Sequence, residues 1–213
     1  MKNQNINKIY QAIINAEVKQ IEELINKALK EKLPAKLILD EGLISAMEYV
    51  GKKFSKREIF LPDVLLSAKT MKLAIEILKP FLADSNIKPF EKVVIGTVQG
   101  DLHDIGKNLV GIMLQGAGFQ VIDLGNDVTP EKFVDTAIAE NAPIIGLSAL
   151  LTTTMPAMKK VIDLIRERNI QNIKVIIGGA PVSEEYAKQI GADAHSYDAA
   201  NAVMTVKNLL NIK

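Results

Sequence analysis

Lys92-Val93-Val94-Ile95-Gly96-Thr97 runs directly into Val98-Gln99-Gly100-Asp101-Leu102-His103-Asp104-Ile105-Gly106-Lys107-Asn108. The first six residues form an apolar run of strand length. Residues 106–117 then show helical spacing. A strand that passes through a loop into a helix is the opening of a βαβ unit. The loop between them is longer than a minimal βα turn needs. It also contains one of only two histidines in the chain.

The same alternation continues downstream. Further strands are predicted at Gln120–Asp123, Ile144–Ser148 and Lys174–Gly178, with a weaker one near Ala194. Amphipathic helices are predicted over residues 130–140, 156–168, 183–190 and 201–210. Continuous apolar strands joined by helical crossovers indicate a parallel sheet covered on both faces. The expected fold is α/β: a flavodoxin-like (Rossmann-like), doubly wound, parallel five-stranded sheet. Ligands in such folds bind beyond the carboxyl ends of the strands.

Upstream the texture is helical. Ile6, Ile9, Ile13 and Ile14 share one face, and Val18, Ile21, Leu24, Ile25 and Ala28 make a second stripe. After Pro34 a third helix is predicted from residue 35 to about 53, and a fourth from Pro62 to about residue 82. Pro62 suits a first turn, where its missing N–H costs nothing. The expected arrangement is an N-terminal four-helix bundle over residues 1–88, a linker within residues 83–89, and the α/β domain over residues 89–213.

Composition narrows the function. Among 213 residues, 26 Lys and Arg balance 25 Asp and Glu for a formal net charge of +1, which suggests neither a nucleic-acid nor a membrane partner. There is no Cys, so disulfides, zinc–thiolate sites and cysteine nucleophiles are excluded. No run approaches the roughly 18 apolar residues of a membrane span, and the N-terminal residues lack a signal-peptide core. A cytoplasmic setting is expected.

In the loop after the first strand, Asp101 stands two residues before His103. A carboxylate there can hold one ring nitrogen and leave the other for a metal. The plain alternative is a solvated loop histidine beside a capping acid. Gly106 would let a bulky ligand approach the backbone. The third strand ends in Ser148-Ala149-Leu150-Leu151-Thr152-Thr153-Thr154-Met155, and the fourth in Gly178-Gly179-Ala180. Taken singly, a hydroxyl cluster suggests helix capping and a Gly-Gly pair suggests a turn. Together they line one edge of the sheet.

In this order, Asp101-x-His103-x-x-Gly106, Ser148-x-Leu150 and Gly178-Gly179 resemble the B12-binding signature of cobalamin-dependent methyltransferases and mutases. Residues 100–108 resemble the methyltransferase branch most. The N-terminal half, with Phe54-Ser55-Lys56-Arg57-Glu58-Ile59-Phe60-Leu61-Pro62, resembles the helical cap that precedes the B12 domain of cobalamin-dependent methionine synthase. The whole chain is similar to small corrinoid methyl-carrier proteins.

The resemblance implies a corrinoid cofactor, methylcobalamin or a related cobamide, with cobalt held by His103. Asp101 would hold the other ring nitrogen, with support from Ser148. Gly106 would admit the cofactor, Leu150 and Thr152 would line the slot for its nucleotide tail, and Gly178 and Gly179 would flank the base. Ala199 would be a late contact, and Phe54 and Leu61 would cover the upper face. The implied partners are a substrate-specific methyltransferase, a corrinoid:acceptor methyltransferase and a reductive activase. No independent catalytic residue is expected. The alternatives are a cobalamin subunit of an adenosylcobalamin mutase, a B12-dependent regulator and a cofactor-free receiver-like domain.

Overall fold

The structure, a computed structural model, describes residues 3–83 and 91–212. Contacts divide the chain into a helical unit and an α/β unit. The expected linker and the 88/89 boundary lie outside the described residues, apart from Ala83 at the end of a helix.

In the helical unit, α1 (Gln4–Ile14) starts at Asn3, whose side chain accepts from the Asn5 backbone, and buries Ile6, Ile9 and Ile13. The second helix, α2 (Ile21–Lys30), buries Ile21, Ile25 and Ala28 on the predicted stripe. The predicted third helix is not uniform. It begins as α3 (Ala35–Leu37), widens into a π-helical segment over Ile38–Ile44, and continues as α4 (Ser45–Ser55). The wider turn brings Ile38 and Leu43, five residues apart, to full burial, and Leu39 and Ile44 are buried beside them. A 3.6-residue period would spread those four side chains over a broader arc. The last helix, α5 (Leu61–Ala83), holds Pro62 in its first turn as expected. There the Asp63 carboxylate accepts from the Phe60 N–H at 2.8 Å.

The α/β unit contains β1 (Lys92–Thr97), β2 (Gln120–Asp123), β3 (Ile144–Ser148), β4 (Lys174–Gly178) and β5 (Ala194–Ser196). All neighbours pair in parallel, in the order β2-β1-β3-β4-β5. The crossovers are α6 (Ile105–Gly116), α7 (Pro130–Ala139), α8 (Pro156–Glu167) and α9 (Glu184–Ile190), and α10 (Ala199–Leu209) follows β5. This is the expected doubly wound sheet.

Strand alternation divides the core. Val94, Ile145, Leu147, Val175 and Ile177 pack in one cluster with Phe133, Met158, Ile162 and Ile190 of α7, α8 and α9. Val93, Ile95, Ile144 and Ile176 face the other side. There, a Cβ added at Gly111 of α6 would meet Ile95 at 2.9 Å. The buried residues of α10, Ala199, Ala202, Val203 and Val206, lie outside the first cluster, which puts α10 on this second side as well. The loops leaving β1 and β3 therefore diverge to opposite faces, which makes the β1/β3 carboxyl ends the switch point where a ligand is expected.

Candidate cofactor site

The loop after β1 is tied down on several sides. Val98 N–H donates to Ser148 O, and Asp101 N–H closes a turn onto Val98 O. The Thr97 hydroxyl donates to His103 O at 3.0 Å. From the loop after β2, Asp127 accepts from Gly100 N–H at 2.8 Å and donates its own N–H to Asp101 O. These ties fix the backbone that carries Asp101 and His103.

Asp101 is fully buried, and both carboxylate oxygens are occupied. Its Oδ1 accepts from the His103 backbone at 3.0 Å and lies 2.8 Å from His103 Nδ1. Its Oδ2 accepts from Leu150 N–H at 2.8 Å, from Leu151 N–H at 3.3 Å and from the Thr154 hydroxyl at 2.7 Å. Burial pushes the Asp101 carboxyl up, but the bonds from Thr154, the His103 and Leu150 backbones and the His103 ring outweigh it. The group is held well below the usual carboxylate range and is ionised.

An ionised Asp101 requires the proton of a neutral His103 imidazole to sit on Nδ1. Nε2 then keeps its lone pair. The His103 side chain is 51% exposed, so that nitrogen faces outward. Leu102, Ile105, Leu150 and Leu151 form an exposed apolar collar on the same loop and the facing one. Apolar exposure of this kind marks a binding surface. A Cβ added at Gly106 would meet nothing within 4 Å, so this position is open.

The last residues of the strands form one row. Thr97 pairs with Ser148, Ser148 with Gly178, and Gly178 with Ser196. All four therefore point to the α6/α10 face. Gly179 follows with φ +138°, and a Cβ there would lie 1.8 Å from Ala149 O, so only glycine fits. Thr152 is exposed, and Ala199 is buried at the start of α10, beyond the Asp198 cap.

One expected role is corrected. The hydroxyl on Asp101 is that of Thr154, not Ser148, whose side chain belongs to the strand-end row. Thr154 was legible only as one of three consecutive threonines. Leu150 contributes its backbone N–H to Asp101 as well as an exposed side chain. Sequence reading also missed Leu151 N–H, Asp127 and Ser196. Phe54 and Leu61 lie in the helical unit, half-buried at the end of α4 and the start of α5.

A B12 binding domain model matches residues 91–207, and a second B12 binding domain model matches residues 6–79. A corrinoid protein of Desulfitobacterium hafniense strain Y51 is 42% identical over 209 residues, covering 96% of this chain and 97% of its own length. This chain belongs to the B12-binding corrinoid proteins. This chain is also 41% identical over 201 residues to dimethylamine corrinoid protein 1 of Methanosarcina acetivorans, with 93% of this chain and 94% of the relative covered. The methanol:cobalamin methyltransferase complex MtaBC of Methanosarcina barkeri contains a chain that superposes with a TM-score of 0.87 at 31% identity. The match spans 100% of this chain and 82% of that one.

The residues of the corrinoid protein fit its family's cofactor. Among the described residues, no group of three or more His, Asp or Glu could hold a bare metal ion. A lone His103 Nε2 suits a metal that brings its other ligands with it, as a cobalt corrin does. The apolar collar suits the macrocycle, and the side-chain-free position at Gly178 suits a flat group lying on backbone, whereas the space beside Gly179 is taken by Ala149 O. Among the described residues, no helix is long and apolar enough to cross a membrane.

Proposed function

We propose that this chain carries a methyl group between a methyltransferase that takes it from a small methylated donor and a second methyltransferase that passes it on. Methylamines and methanol are the donor class suggested by the relatives. A reductive activase is the third expected partner. The observation that carries the reading is His103: Nδ1 clamped to a buried, ionised carboxylate, Nε2 exposed within an apolar collar.

When bound, the corrinoid supplies a cobalt centre that takes up and releases a methyl group, so the chain needs no nucleophile of its own. Asp101 fixes the His103 tautomer and the orientation of its ring. The exposed Leu102, Ile105, Leu150 and Leu151 side chains would shield a bound corrin ring from water. Ser148, Thr152, Gly178, Gly179 and Ala199 are assigned to the nucleotide tail. The assignment of Phe54 and Leu61 to the upper face rests on the family resemblance alone.

Apoprotein reconstituted with cobalamin and reduced to cobalt(II) tests the reading by electron paramagnetic resonance. Nitrogen-15 labelling of histidine should alter the superhyperfine pattern, and His103→Ala should abolish that dependence. Coupling from the cofactor's own base in the wild type would overturn the assignment.

A further inference from the structure

Two buried side-chain atoms have no hydrogen-bond partner among the described residues: His195 Nε2 and Ser196 Oγ. The two side chains alternate along β5 and point to opposite faces of the sheet. Ser196 is the more telling one. It is 8% exposed and occupies the last position of β5, on the strand-end row. Protein interiors rarely leave a hydroxyl without a partner, and doing so carries a stability penalty. Alanine at this position would avoid it.

The neighbours of Ser196 show what it faces. Gly178 stands beside it in the row and Ser148 beyond Gly178, so two hydroxyls flank a position with no side chain. Neighbouring strands lie about 4.8 Å apart, which leaves a gap roughly one strand wide between the two serines. A Cβ at Gly178 would come within 3.1 Å of Ser196 O. The slot floor is therefore backbone, bounded on the β5 side by an unsatisfied hydroxyl. Thr97, at the other end of the row, is already committed to His103 O.

We propose that Ser196 is a specificity residue for the nucleotide tail, its hydroxyl donating to a hydrogen-bond acceptor of the tail that lies over Gly178. The inference rests on the corrinoid reading above and adds a residue to it. The acceptor is either a nitrogen of the lower base or an oxygen of the ribose-phosphate.

The test is absorbance titration of apoprotein, wild type and Ser196→Ala, with three corrinoids: cobalamin, p-cresolyl cobamide, whose phenolic base has no ring nitrogen, and cobinamide, which lacks the nucleotide. Ser196→Ala should bind cobalamin about tenfold more weakly, the worth of one hydrogen bond. Cobinamide affinity should stay within about twofold. The apo melting temperature should stay level or rise, because an orphaned hydroxyl has been removed. A loss with cobalamin but not with the cresolyl form assigns the acceptor to the base, and an equal loss with both assigns it to the ribose-phosphate. An unchanged cobalamin affinity, an equal loss with cobinamide, or a lowered apo melting temperature would overturn the proposal. If the wild type binds none of the three, the corrinoid reading itself fails.

Discussion

Thr154 donates its hydroxyl to Asp101 Oδ2 at 2.7 Å across 53 positions of sequence, which joins the loop after β3 to the histidine loop after β1. The same hydroxyl lies 2.9 Å from Leu151 O, but its single proton is worth more on a charged acceptor. Thr154→Val should therefore cost about 1.5–3 kcal/mol of apoprotein stability, the range for a hydrogen bond to a charged group. Thr154→Ser should retain most of it. Urea denaturation of the two variants measures the difference, and equal stabilities would remove the hydroxyl from the network.

Asp101→Asn tests the other end of that bond. A carboxamide offers one acceptor oxygen where the carboxylate offers two, and its NH2 would face either Leu150 and Leu151 N–H or the His103 ring. The apo fold should weaken, and the ring should lose its fixed tautomer. Nitrogen NMR of labelled His103 should show one dominant tautomer in the wild type and a mixture in the variant.

The charge on Asp101 also has a pH signature. Its folded-state pKa is depressed, so ionisation stabilises the fold above the unfolded carboxylate pKa of about 4. That contribution is lost as pH falls from there toward the folded value. The melting-temperature gap between wild-type and Asp101→Asn apoprotein should be smaller below about pH 4 than at neutral pH. A gap that widens in acid would reverse the sign and refute the ionised assignment.

Part of this site could be read without coordinates. The change from helical spacing to short apolar runs after residue 91 located β1, β3 and β4, because buried parallel strands carry a continuous apolar signal; at the edges β2 has no buried residue and β5 only one, and β5 is legible only as a weaker run near Ala194. The Asp101–His103 contact was legible because two residues of a tight loop cannot separate far. The partner of Asp101 was not. Residues 148–154 contain four hydroxyls, and the backbone chooses among them. The chain turns where Thr154 and Met155 N–H both return to Leu151 O, and that turn aims Thr154 at Asp101. Ser148 is still in β3, where register sends its side chain to the strand-end row. The π-helical segment over Ile38–Ile44 was equally hidden, since its apolar residues also satisfy a 3–4 spacing.

Lys107 and Asp123 form an ion pair with unequal burial: the lysine side chain is 3% exposed and the aspartate 40%. Removing the two charges should have unequal effects. Lys107→Met leaves a solvated carboxylate and should change stability by less than about 1 kcal/mol. Asp123→Asn keeps an oxygen for Gly125 N–H but strands a buried ammonium, and should cost roughly 2–4 kcal/mol. Urea denaturation at neutral pH ranks the two, and the reverse order would show that Lys107 reaches solvent.

The adjacent glycines at the end of β4 should separate folding from binding. At Gly179 an alanine meets φ +138° and a carbonyl oxygen 1.8 Å from its Cβ, and neither can relax without moving the loop after β3. That loop carries the Asp101 ligands Leu150, Leu151 and Thr154. Gly179→Ala should thus destabilise the apoprotein by at least about 2 kcal/mol, through backbone strain and the clash together. At Gly178 the new Cβ would stand 3.1 Å from Ser196 O, a contact that a shift of a few tenths of an ångström relieves. Gly178→Ala should melt within a few degrees of the wild type. Its methyl group would nevertheless occupy the floor of the slot between Ser148 and Ser196, and cobalamin affinity should fall tenfold or more. Apo melting curves and reconstitution titrations on both variants decide the matter. If Gly178→Ala binds cobalamin as the wild type does, the slot does not run over β4, and Ser148, Gly178 and Ser196 lose their shared assignment.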